Sequence, residues 1–363
     1  MISSFFQHLL SLLLLSTFFF YLSTASTVKR PSNNSISALF VFGDSTVDPG
    51  NNNNLRTMVK SNFPPYGKDF VDHKPTGRFT NGRLATDFVA SYAGIKDYVP
   101  AYLDPTLSTE ELKTGVSFAS ANSGYDPLTP RLSNVISLPK QLEYFGELKE
   151  RLEAAMGKQK TDEIVKKAVY LVSAGTNDFI VNYYALPIRS TIYTMPQYQQ
   201  FLLQNTKQFI QGLVNQGARR IVVIGLPPMG CLPIVITLNS GTINRNCIDS
   251  ELTVANDYNQ MLQKELQAMQ SQLAHQNVAI YYVDIYTPMM DMIRNPQKYG
   301  FEQSNIGCCG TGLLEETIMC NPRSTVCSDA SKYVFWDSVH PTEKGYYLIF
   351  ESLRPVVDSI IKS

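Results

Sequence analysis

The chain has 363 residues, 44 % hydrophobic and 17 % charged, with Lys+Arg and Asp+Glu balanced at 31 each. That balance argues against a nucleic-acid binder, which needs a basic face, and gives no support for a polybasic membrane patch. With 11 % aromatic residues, the composition is that of a folded globular protein and not of a disordered chain.

Leu9 to Leu22 reads LLSLLLLSTFFFYL, with no charge before Lys29. The run is shorter than the roughly 20 residues of a membrane span and suits the core of a secretory signal peptide. Ser23-Thr24-Ala25 supplies small residues for cleavage, although the leading segment lacks the usual Lys or Arg. Residues 1–25 are therefore expected to be a signal peptide, 26–37 an extension and 38–363 a single domain. A secreted product with no stable membrane anchor follows; an uncleaved anchor is the alternative. Asn33-Asn34-Ser35 is a glycosylation sequon on Asn33.

Ala38–Phe42 (ALFVF) is a short continuous apolar run that reads as a buried parallel strand, ending in Gly43-Asp44-Ser45. Val169–Ser173, Ile221–Gly225 and Ala279–Val283 repeat the pattern, and each gives way to polar or Gly/Pro punctuation. Between them lie amphipathic stretches. Leu202, Phe209, Leu213 and Val214 mark one helix, stopped by Gly217. Leu262, Leu266, Met269 and Leu273 mark a second, within Glu251–Gln276. Strands alternating with helices predict an α/β fold with a mostly parallel sheet covered on both faces. In such sheets the ligand crevice lies at the carboxyl ends of the strands. The stretches 62–75 and 305–321 read as long loops, and Asn51–Asn54 as a structured loop.

An even six cysteines, Cys231, Cys247, Cys308, Cys309, Cys320 and Cys327, suit disulfides in an oxidising compartment. Cys231 with Cys247 would close a local loop, and the last four would staple the Gly-rich stretch 307–327. A zinc site is the weaker alternative, because no nearby His spacing accompanies the cysteines. No metal is expected.

Histidine is scarce, with four in the chain. His8 falls in the signal peptide, His73 in a polar loop and His275 at a helix end. His340 stands in Trp336-Asp337-Ser338-Val339-His340-Pro341, before a helix that Pro341 can start. Asp337, three residues back, can reach Nδ1 of the imidazole and hold its tautomer. Ser45 ends the first strand, and a serine needs such a base to become nucleophilic at neutral pH. The Gly-x-Ser-x-Gly elbow of α/β-hydrolases is absent, since Val47 takes the second glycine position. Gly175-Thr176-Asn177-Asp178 follows another strand, and the Asn177 amide is an uncharged donor suited to an oxyanion. Singly, each motif also reads as a turn or cap. Tyr183–Tyr184 and Phe335–Trp336 suit either an acyl pocket or core packing.

Together these segments resemble the plant branch of the GDSL (SGNH-type) esterase/lipase family, from Ala38 to the C-terminus. The resemblance rests on Phe42–Asn52, Gly77–Arg83, Gly115–Ser120, Gly175–Asp178 and Asp337–Pro341. It implies a three-layer α/β/α, flavodoxin-like fold, a secreted product and no cofactor. Ser45 would be the nucleophile, His340 and Asp337 the base pair, and Asn177 an oxyanion donor. The family commonly donates a further N–H from a glycine where this chain has Asn122, in Ala121-Asn122-Ser123-Gly124. Asn tolerates positive φ, so Asn122 can fill that place; Gly124 is the alternative donor. The expected activity is hydrolysis of a small-molecule or lipid ester. An acyltransferase with the same residues, or a binding or storage protein retaining the fold, are the rival readings.

Overall fold

The computed structural model describes residues 36–362. The expected signal peptide, the Asn33 sequon and all but the end of the 26–37 extension lie outside the described residues. In chain order the main elements are β1 (Leu39–Gly43), α1 (Ala85–Tyr92), α2 (Leu138–Met156), β2 (Val169–Ser173) and α3 (Met195–Asn215). There follow β3 (Arg220–Ile224), α4 (Asp249–Leu273), β4 (Ala279–Val283), β5 (Gln303–Gly307), β6 (Tyr333–Phe335) and α5 (Glu343–Lys362).

The main sheet is parallel throughout, in the order β1-β2-β3-β4. Along the outer edge of β1 runs an irregular fifth segment. Leu39 N bonds Thr114 O (3.2 Å), Val41 N bonds Val116 O (3.0 Å) and Phe118 N bonds Val41 O (2.7 Å). Counting this segment, the spatial order is that of a flavodoxin-like sheet. Side chains alternate across it, as the period of a strand requires. Phe40, Phe42, Tyr170, Val172, Ile221 and Val223 pack against α2, α3 and α4. Leu39, Val41, Leu171 and Val222 face the other way, toward α1 and α5. The result is three layers, α/β/α.

Two of the four predicted strands have the expected ends; β1 and β3 are displaced by one residue. The α3 and α4 helices also lie where the apolar spacing puts them. Gly217, at φ +106°, follows the end of α3, and Asn277, at φ +55°, follows the short 3-10 turn that ends α4. The last helix is a correction. It starts at Glu343 and not at Pro341, which instead pairs with Phe335 in an isolated bridge. Thr342 caps it, its Oγ1 accepting from Gly345 N at 3.1 Å.

All six cysteines are paired: Cys231–Cys247, Cys308–Cys327 and Cys309–Cys320. The first closes a local loop and the other two brace 307–327, which displaces the zinc alternative. The braced loop continues the small β5–β6 sheet. Cys308 N donates to Phe335 O (3.1 Å) and Cys309 N to Trp336 O (2.8 Å). The disulfides thereby fix the backbone that enters Asp337.

Candidate active site

Ser45 is delivered by a turn that only glycine can make. At Gly43, φ is +140° and an added Cβ would fall 1.8 Å from the carbonyl oxygen of Ser173. Gly43 is further pinned by Gln141, whose Oε1 accepts from its N–H (2.8 Å) while Nε2 donates to its carbonyl (2.9 Å). Asp44 then caps a single 3-10 turn, accepting from Thr46 N at 3.0 Å and Thr46 Oγ1 at 2.7 Å. Ser45 begins that turn at 7 % exposure, so its hydroxyl sits at the sheet's carboxyl edge and not in bulk water.

His340 Nε2 lies 2.8 Å from Ser45 Oγ. Its Nδ1 lies 2.9 and 2.8 Å from the two carboxylate oxygens of Asp337. The carboxylate is itself held: Oδ1 accepts from Val339 N (2.9 Å) and His340 N (2.7 Å), and Oδ2 from Tyr66 Oη (2.9 Å). Residues 295 apart in sequence thus meet within proton-transfer reach. Burial opposes protonation of His340, but the Asp337 carboxylate outweighs it, helped by Glu316 and Asp44, and lifts the imidazole above its ordinary pKa of 6.5. Asp44 is pushed up to about 6 by burial. Glu316 is pushed up to about 7, again by burial first and then by the Asp337 charge.

Asn177 sits between β2 and a π-helical segment, Asp178–Ala185, a form of helix that recurs at functional sites. Its Nδ2 donates to Ser123 O at 2.9 Å, which ties it to the Ala121–Gly124 segment. Asn122 has φ +63°, the left-handed region that asparagine tolerates, and its side chain turns to Ser133 Oγ. Among the described residues, the backbone N–H groups of Ser45 and Asn122 have no protein acceptor. Gly124 has a packing reason to be glycine: a Cβ there would fall 2.1 Å from Asp178 Oδ1. That carboxylate collects Tyr125 N (2.8 Å), Asp126 N (3.1 Å) and Thr129 Oγ1.

The other quoted segments form a frame. Asp48 accepts from Gly50 N, Asn51 N and Ala121 N, joining the first segment to Asn122. Asn51 and Asn52 donate to the carbonyls of Ser117, Ala119 and Ala121, so the asparagine run is an ordered clamp. Phe79 lies against the His340 ring at 5.1 Å, and Thr80 Oγ1 donates to Pro341 O at 2.9 Å. Arg78 is bidentate to buried Asp87 at 2.8 Å on each side. His73 and His275 are exposed, as expected of solvated residues. Phe335 and Trp336 are fully buried core residues, and Tyr183 stacks on Tyr198, so packing accounts for them.

Tyr66, Glu316 and Gln141 escaped sequence reasoning. Tyr66 reaches Asp337 across 271 residues, a relation that no local spacing can signal.

Comparison with known proteins agrees with this frame. Residues 39–353 match the family model of GDSL-like lipases/acylhydrolases. The chain is 59 % identical to GDSL esterase/lipase At5g45960 of Arabidopsis thaliana, over 91 % of this chain and 88 % of the relative. It is 43 % identical to GDSL esterase/lipase At1g06990, over 95 % and 97 %, and 44 % identical to GDSL esterase/lipase APG, over 91 % and 94 %, both also of Arabidopsis thaliana. A parallel sheet presenting Ser45 beside His340, within a match that runs nearly the length of the chain, places this protein in the GDSL-like lipase/acylhydrolase family, and so among the carboxylic ester hydrolases.

Proposed function

We propose that the protein is a secreted serine esterase acting through an acyl-enzyme, with Ser45 as nucleophile, His340 as general base and acid, and Asp337 as the orienting carboxylate. The observation that carries this is the continuous chain Ser45 Oγ–His340 Nε2 and His340 Nδ1–Asp337, at 2.8 Å for each link. Ser45 Oγ attacks the acyl carbonyl as its proton passes to His340 Nε2. Charge then grows on the former carbonyl oxygen. The Nδ2 of Asn177 and the backbone N–H groups of Ser45 and Asn122 are the donors that meet it. Collapse of the tetrahedral intermediate expels the alcohol, which takes the proton from His340. Water, activated by the same imidazole, releases the acid and restores Ser45. Gly124 admits the Asp178 carboxylate, and its backbone N–H is the alternative donor to that of Asn122.

Asn177→Ala is expected to lower kcat by about 10²–10³-fold with little change in thermal stability, because one oxyanion donor is lost from a half-buried surface position. Steady-state kinetics beside a melting curve check this.

The pH profile gives an independent test. Only neutral His340 can accept the serine proton, so kcat/KM falls as pH drops through the imidazole ionisation. Burial lowers that ionisation, but Asp337, Glu316 and Asp44 together raise it by more, so the acid limb is expected above pH 6.5. A limb at or below 6.5 contradicts the proposed electrostatics.

Export is supported by three disulfides, which persist in oxidising compartments. The apolar run Leu9–Leu22 and the Asn33 sequon fit the same reading, with cleavage near residue 25. Among the described residues no helix is long and apolar enough to cross a membrane.

A further inference from the structure

A second, polar cleft of about 800 Å³ opens where the segments 49–54, 70–78 and 96–114 meet. Its size is toward the upper end of the roughly 300–1,000 Å³ that ligand sites occupy. Ser45, Asn177, Asp337 and His340 do not line it, so ester chemistry leaves the cleft unexplained.

Its walls are fixed before any ligand arrives. Asn53 Nδ2 donates to Thr76 O at 2.8 Å, and a Cβ on Gly77, at φ +109°, would fall 2.5 Å from Gly50 Cα. Arg78 spends its guanidinium on Asp87, Thr76 Oγ1 and Val99 O, with its Cζ 4.8 Å from the centre of the Phe70 ring. That ring meets Tyr98 edge-on at 4.8 Å, and Tyr98 is 36 % exposed. The two rings make an aromatic wall that costs a ligand little ordering.

The charge of the lining selects the ligand class. Lys74, Lys96 and Arg78 are matched by Asp104, Glu110 and Glu111, which leaves neither sign in excess to recognise an anion or a cation. Polar groups nonetheless remain unspent. The exposed amides of Asn54 and Asn62 and the hydroxyl of Tyr98 bond no protein group among the described residues. Lys96 Nζ gives two of its N–H groups to Glu111 O (3.0 Å) and Gly115 O (2.6 Å), keeping one. A hydrocarbon chain would strip these groups of water and return nothing. A sugar ring supplies hydroxyls that both donate and accept, and its C–H face can lie on the apolar body of a tyrosine.

We propose that this cleft binds a neutral oligosaccharide, at a site separate from that of ester hydrolysis. The proposal does not depend on the roles given to Ser45 and His340.

Calorimetric titration of the whole protein with cellohexaose, xylohexaose and mannohexaose tests it, with hexagalacturonate as the charged comparison. At least one neutral probe is expected to bind saturably. Tyr98→Ala should weaken that binding by at least about fivefold, the loss of one aromatic contact, while Tyr98→Phe stays within about threefold. Asn54→Ala and Asn62→Ala should each weaken it by at least about twofold, as one lost hydrogen bond does. All four changes fall on exposed positions, so unchanged melting curves are expected and show that the variants fold. Absence of saturable binding by all three neutral probes overturns the proposal. Binding indifferent to Tyr98→Ala and to both asparagine substitutions does so too, as does tighter binding of hexagalacturonate than of every neutral probe.

Discussion

Replacing Ser45 by alanine is expected to lower kcat/KM for a small aryl ester by on the order of 10⁶-fold while the protein remains folded. The substitution removes one oxygen atom, the one 2.8 Å from His340 Nε2. The geometry that presents residue 45 depends on its neighbours instead: Gly43 under Ser173, Gln141 on both sides of the Gly43 peptide, and the Asp44 cap. Structure and stability should therefore change little. Activity that survives reflects the oxyanion donors and binding alone. Wild-type turnover by Ser45→Ala, measured with purified protein, would remove Ser45 from the mechanism.

Asp337→Asn is expected to cost about 10⁴-fold in kcat, and the hydrogen-bond pattern explains why. Asp337 Oδ1 accepts from the N–H groups of Val339 and His340, so an asparagine must keep its carbonyl oxygen there. Its amide nitrogen then takes the place of Oδ2, facing Tyr66 and the imidazole. His340 Nδ1 then meets a donor at the 2.8 Å position, and its other contact, Oδ1 at 2.9 Å, is already shared by two backbone N–H groups. As Nδ1 turns to accept from the amide, the ring proton moves to Nε2. That nitrogen then donates toward Ser45 and cannot accept its proton. The Asn variant should retain its melting temperature, since Tyr66 Oη can serve as acceptor as readily as donor. Normal turnover by this variant would show that Asp337 does not set the tautomer.

Much of this was legible in the chain, for identifiable reasons. β1 and β2 are buried on both faces, β3 is buried through its centre and β4 is half-buried, yet all four read as short apolar runs, and Val169–Ser173 and Ala279–Val283 have their predicted ends. Ser45, Asn177 and His340 stand out because strand ends punctuated by Gly, Asp and Asn are where an open sheet exposes chemistry. The Asp337–His340 contact is local, three residues apart, and so is visible as spacing.

What escaped is non-local or weakly patterned. The edge segment 114–120 pairs with β1 through a few backbone bonds and carries no strand-length apolar alternation. The β5–β6 pair is short and its register is broken between Gln303 and Gly307. Tyr66 and Gln141 act through contacts across 271 and 98 residues, which a single sequence does not encode as spacing. The choice among cysteine pairings likewise needed the fold, because Cys308 and Cys309 are adjacent and either could have met Cys320.

The most direct measurement is covalent trapping of the intact protein with a serine-reactive phosphonate, followed by peptide mass spectrometry. A single adduct on Ser45, abolished in Ser45→Ala and strongly slowed in His340→Ala, is the predicted result. Labelling of another serine, or labelling of Ser45 at an undiminished rate without the imidazole, would contradict it.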